Sequence, residues 1–165
     1  IISAHGEQWQ AENEVLATNA FTKHLTKNNE IKPGRGYVFI TNPIENMPWK
    51  GTFHYDKGYV YFRNLGEQRL LIGGGRNVDY DAETTSEFGI NESIKSFLMD
   101  YVDEVIKLPK GWSIEREWSG IMGFTESKSA SLEKIGEKTW QVAGLSGMGV
   151  ALGMALGQKA AQQFF

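Results

Sequence analysis

The sequence contains no cysteine, so disulfides, zinc–thiolate centres and thiol nucleophiles are excluded at the outset. Histidine is nearly as scarce. His5, His24 and His54 stand far apart without ligand spacing, and no metal site is expected. Lysine and arginine do not cluster and the net charge is −3, which argues against nucleic acid as a partner. No bilayer span is expected either, because the uncharged stretch 139–158 is broken by Gln141 and several glycines. Signal-peptide and lipidation motifs are lacking, which makes the cytoplasm the expected location. Asn91-Glu-Ser93 matches a glycosylation sequon, but nothing else points to secretion. The chain also lacks an initiator methionine and begins at Ile1 in what reads as mid-element, so a fragment of a longer protein is expected.

What is present suffices for one sizeable core: 165 residues, 41% of them hydrophobic, a length that favours one domain. Ile1-Ile-Ser-Ala reads as a strand end, His5-Gly-Glu as a turn and residues 8–11 as the return. Residues 14–20 form an apolar run suited to a buried parallel strand ending in a ligand-facing loop; the alternative is an ordinary strand followed by a helix over 20–25 with Thr18 and Asn19 as N-caps. Residues 27–36, with Pro33, Gly34 and Gly36, read as a linker. Strands at 37–41, 52–55, 59–63 and 69–72 predict a four-stranded antiparallel meander, its hairpin turn marked by Asp56-Lys-Gly. A helix over 90–107 follows from Ile90, Ile94, Phe97, Leu98, Tyr101, Val102, Val105 and Ile106, spaced to form one apolar stripe that packs on the meander. Thr84-Thr-Ser-Glu87 has capping-box form, and Pro109 stops the helix. A strand at 113–118 leads to a glycine-bent strand end at 119–125 and a polar loop at 126–131.

The end of the chain carries the most chemistry. Trp140-Gln-Val-Ala is β-prone, residues 144–149 are a glycine-rich turn, and 150–163 reads as a helix, an order that suits an anion or cofactor at the helix N-terminus. Gly147-x-Gly149-x-x-x-Gly153 is near a dinucleotide fingerprint, but the required βαβ unit and acidic residue do not follow. Gly144-Leu-Ser146-Gly-Met148 is near a hydrolase nucleophile elbow, yet it ends in Met, and no Asp or His comes after Ser146. Gly149, Gly153 and Gly157 at four-residue spacing equally suit a helix packed closely on a neighbour. A terminal strand–helix pair with no later strand must join a sheet supplied elsewhere.

Six segments in this order resemble the carboxy-terminal half of the D-amino acid oxidase-like FAD-dependent oxidoreductases. They are Val15-Leu-Ala-Thr-Asn-Ala, Pro33-Gly-Arg-Gly, Gly58-Tyr-Val-Tyr-Phe-Arg, Leu70-Leu-Ile-Gly-Gly-Gly, Trp118-Ser-Gly-Ile-Met-Gly-Phe-Thr and Gly144-Leu-Ser-Gly-Met-Gly-Val. The resemblance implies an α+β fold: an antiparallel substrate-domain sheet with a packed helix, plus a terminal strand and helix belonging to an FAD-binding α/β domain largely missing from this chain. Residues 1–22 are then the tail of the FAD-binding domain, 30–135 the substrate domain, and 140–165 the return to the FAD-binding domain. It further implies a partner in the missing amino-terminal part of the same protein, which would carry the family's Gly-x-Gly-x-x-Gly unit.

By the same resemblance, non-covalent FAD is contacted by Thr18, Asn19, Gly144, Leu145, Ser146, Gly147, Met148, Gly149 and Val150. A cysteine-linked flavin is ruled out by composition. The substrate is a small amine or amino acid, losing a hydride to the flavin from the carbon beside nitrogen. Candidate substrate contacts are Tyr61, Arg63, Arg116, Trp118 and Met122, with Tyr59 another aromatic lining the pocket; Met122 stands where some relatives place a carboxylate-binding arginine. Glu126-Ser-Lys-Ser-Ala replaces the family's usual Asp and Pro. No catalytic residue is assigned. The alternatives are a flavin-free binding module and, third, a hydrolase acting through Ser146.

Overall fold

The structure, a computed structural model, describes residues 2–26 and 30–163, so the readings at Ile1, 27–29, Phe164 and Phe165 lie outside the described residues. The fold is α+β. In chain order the strands are β1 (Ile2–Ala4), β2 (Glu7–Trp9), β3 (Glu14–Leu16), β4 (Lys32–Thr41), β5 (Thr52–Tyr55), β6 (Val60–Leu65), β7 (Arg69–Gly74), β8 (Ile114–Phe124), β9 (Ser131–Lys134) and β10 (Thr139–Ala143). The α-helices are α1 (Glu92–Tyr101) and α2 (Gly149–Ala161). Two compact units result: Gly34–Ile121, and Ile1–Pro33 with Met122–Phe165.

The Gly34–Ile121 unit is built on a five-stranded sheet in the order β5-β6-β7-β4-β8. Consecutive β5, β6 and β7 are a meander, and the backbone reverses through Asp56, Lys57 and Gly58 at φ 47°, 55° and 90°. β4 pairs with the far edge of β7 instead of extending the meander from β5, and β8 makes a fifth strand where four were expected. Alternation puts Tyr37, Phe39, Val60, Leu70 and Ile72 on one face, where Ile94, Leu98, Tyr101 and Val102 close the core. The stripe thus packs as its periodicity predicts, although Ile90 and Val105 at its ends remain exposed.

Several local expectations are corrected. The helix is regular only over Glu92–Tyr101 and continues as a π-helical turn, Val102–Ile106, ended by left-handed Lys107 before Pro109. Its cap is Asn91, whose Oδ1 accepts from the Ser93 N–H, while the Asn91 amide donates to Asp79 and Glu83. Thr84–Glu87 forms no helical turn: the Thr84 hydroxyl donates to Tyr80 O and the Thr85 hydroxyl accepts from Glu87 N. Residues 32–36 are strand, not linker. β7 pairing ends at Tyr37, so Pro33 removes no bond from that ladder, and Arg35 is held by a two-pronged ion pair to buried Glu83. Residues 114–124 form one strand without a break at Gly120.

In the other unit, β3-β10-β9 is a three-stranded sheet in which β3 and β10 are parallel and β9 antiparallel. β3 is shorter than its apolar run and half-exposed, because residues 19–24 turn into a 3-10 helix. A β1–β2 hairpin turns at His5 and Gly6, both at positive φ, where the turn was expected, and its return strand begins one residue earlier, at Glu7.

Candidate functional site

Because β3 and β10 are parallel neighbours, their carboxyl ends lie side by side, and each runs through a short loop into a helix. Ligands of such strands bind beyond those ends. After β10, Gly144 turns at φ 75°, and a Cβ there would stand 2.6 Å from Thr125 Cγ2. Ser146, also left-handed at φ 49°, locks the loop: its N–H donates to Gly123 O (2.9 Å), and its hydroxyl accepts from Thr125 N and donates to Gly144 O. Leu145 O accepts from Met148 N, closing the turn. After β3, Asn19 Oδ1 accepts from Gly123 N (2.8 Å), and the Thr18 hydroxyl meets that of Thr22 (3.0 Å). The cofactor candidates Asn19, Gly144 and Ser146 therefore meet on Gly123, near the end of β8, and Thr125 just past it, a shelf that sequence reasoning did not single out although both residues stand in a quoted motif.

The side chains of Thr18, Asn19 and Ser146 spend hydrogen bonds on the protein. What this loop leaves open is main chain. Gly147, at φ 87°, has nothing within 4 Å of where its Cβ would be. α2 starts without a side-chain cap, and its first accounted amides, Ala151 and Leu152, return to Met148 O. The amides of Gly149 and Val150 have no carbonyl within the helix, and they add to the positive end of its dipole. Val150 and Met148 are exposed beside them.

In the Gly34–Ile121 unit, Tyr61 and Arg63 share the sheet face opposite the core, since Val60 and Phe62 between and beside them pack with the core. Burial pushes the Tyr61 phenol up, so it is neutral at ordinary pH. Arg63 and Arg116 are exposed and form no ion pair or hydrogen bond among the described residues, whereas Arg35 and Arg69 are paired to Glu83 and Glu115. Glu117 reaches α1: it takes Lys95 (2.9 Å) and the Tyr37 hydroxyl, and these hold its carboxyl below the usual range. Trp118, next along the strand, is exposed on the other face. Ile114 and Glu117 both face the core side although three residues apart, so alternation breaks between them, as at a bulge. Tyr59 is exposed; Met122 is half-buried and belongs to the other unit. Register thus brings Tyr61 and Arg63 onto a common face, and Trp118 at the far edge of the sheet lies on that face as well.

Among the described residues no three His, Asp or Glu side chains are grouped to hold a metal, and no helix is long and apolar enough to cross a membrane. A family model described as FAD dependent oxidoreductase matches residues 2–163. The chain belongs to that family. Among solved structures, the chain is similar to glycine oxidase from Geobacillus kaustophilus (TM-score 0.74, 19% identity, 96% of this chain and 42% of that one). It is also similar to L-proline dehydrogenase from P. horikoshii (0.71, 22%, 90% and 41%) and to iminodiacetate oxidase from Chelativorans sp. BNC1 (0.71, 12%, 94% and 43%). At these identities the likeness is one of fold, and the chain spans less than half the length of each structure. A comparison with curated proteins finds no match.

Proposed function

We propose that the complete protein is an FAD-dependent oxidoreductase that oxidises the C–N bond of an amino acid or related amine. The observation that supports this most is the family match over residues 2–163, which takes in the loop at 144–150 where α2 begins with uncapped amides. The residues fit the cofactor: glycine backbone without side chains in the way, and free N–H groups at a positive helix end, suit the electronegative edge of a flavin. FAD, when bound, supplies the acceptor for the hydride leaving the substrate carbon.

The protein's own contributions follow from its side chains and amides. In this reading, Ile1–Pro33 with Met122–Phe165 serves the flavin and Gly34–Ile121 the substrate. The α2 amides of Gly149 and Val150 stabilise negative charge gathering on the ring, without changing protonation. Arg63, without a carboxylate partner among the described residues, pairs with that of an amino acid, and Tyr61 remains a neutral donor beside it. No general base is assigned. The test is the visible spectrum of the complete gene product, before and after anaerobic addition of D-amino acids and N-methyl amino acids. A flavin band bleached by one of them is expected; a colourless protein that takes up no added FAD would leave a flavin-free binding module.

A further inference from the structure

Two tyrosines of the five-stranded sheet end in opposite circumstances. Tyr37, on the α1 side, gives its hydroxyl to Glu117. Tyr61, on the other side, is half-buried, and its hydroxyl has no hydrogen-bond partner among the described residues.

Gly73 decides where that phenol lies. It is Tyr61's direct partner in the β6–β7 ladder, and Val38 is its partner from β4. A Cβ at position 73 would stand 2.6 Å from the Tyr61 hydroxyl oxygen and 2.8 Å from both the ring carbon bearing it and Val38 Cγ2. Side-chain carbons do not approach so closely. The Gly73 backbone is not in the left-handed region, so space, not φ, requires glycine here. Its neighbour differs: Gly74, at φ 110°, is fixed by backbone and by the Tyr59 carbonyl against which a Cβ would clash. The Tyr61 ring therefore lies across β7 through the gap that Gly73 leaves. Arg63 follows two residues on along the same face, about 7 Å away along the strand.

We infer that Gly73 is a positioning residue: it seats the Tyr61 phenol so that its hydroxyl and the Arg63 guanidinium together receive the carboxylate of an amino-acid substrate. A carboxylate accepts only, and a phenol and a guanidinium are both donors to it. A substrate lacking that group leaves both donors unsatisfied, so this pair selects amino acids over simple amines. The assignment rests on the oxidoreductase reading above.

Gly73→Ala tests it in the flavin-loaded gene product. Two of the three blocking atoms are the far end of the Tyr61 side chain and the third is the Val38 methyl, so Tyr61 swings away, Val38 turns about its Cα–Cβ bond, and the strand persists. KM for the amino acid should rise about tenfold with kcat within about threefold, while KM for the carboxyl-free amine analogue stays unchanged. Tyr61→Phe, which removes only the hydroxyl and leaves the sheet intact, should raise KM to the same extent, and the double variant should add little. Fluorotyrosine at position 61 gives a readout free of turnover: Gly73→Ala should shift its fluorine resonance and lower its titration toward the ordinary tyrosine range. An unchanged KM, an equal loss with the amine analogue, additive single effects, or an unmoved resonance would each overturn the assignment. Should no amine bleach the flavin, the functional reading fails, and the fluorine titration still judges the seat by itself.

Discussion

The two units are held in different ways. Gly34–Ile121 has a continuous apolar core between sheet and α1, with Phe39, Val60, Leu70, Ile72 and Leu98 fully buried. Among the described residues, the unit of Ile1–Pro33 and Met122–Phe165 buries few apolar side chains, namely Ala20, Ile31, Ala143 and Ala160. Its α2 exposes Val150, Leu152 and Met154. Its order comes instead from glycines that allow close approach and from polar pins such as Asn19 to Gly123 and Ser146 to Thr125. Burial of area drives the first; local geometry defines the second. A core tolerates few changes of volume, whereas a pinned loop fails through single hydrogen bonds or single φ angles.

That contrast breaks most visibly in the core. Phe39→Ala is expected to cost about 4 kcal/mol, seen as a lower urea midpoint at unchanged slope. Glu83→Ala, which strands the Arg35 guanidinium, should cost about 3 kcal/mol in the same experiment. Ser146→Ala should cost only about 1 kcal/mol globally while speeding amide exchange at Thr125.

Glu117 adds a pH test. Lys95 and then Tyr37 depress its carboxyl in the folded state, so its contribution is present above the unfolded value and is lost as pH falls through the folded one. Glu117→Gln should therefore lower stability at neutral pH and flatten the acid limb of the stability curve. The smallest effect is expected at Met154→Ser, within about 0.5 kcal/mol, because that side chain is 87% exposed.

How much of this was legible in the sequence follows the same division. The α1 stripe was, because a 3.6-residue period maps directly onto one packed face, and the β5–β6 turn was, because Asp56-Lys-Gly supplies the needed φ. The start of β4 was not: Pro33 and Gly34 read as punctuation, and what makes them strand is Arg35 tied to Glu83, forty-eight residues away. Asn91 drew notice only as part of a sequon match that nothing else supported; that its side chain caps α1 and its amide is spent on Asp79 and Glu83 was not visible. For the candidate site, the glycine-rich loop at 144–149 was visible, but not its footing on Gly123 and Thr125, since a pairing 21 residues apart leaves no local pattern. The Gly73 seat was hidden likewise, as it depends on register across three strands.

The most direct measurement is the FAD-to-protein ratio of the purified gene product and of its Gly147→Val variant. Near-stoichiometric flavin in the parent is expected, with loss in the variant at unchanged far-ultraviolet circular dichroism, because φ 87° admits glycine and strains valine. Flavin retained at the parent ratio by Gly147→Val would contradict the placement of the cofactor at this loop.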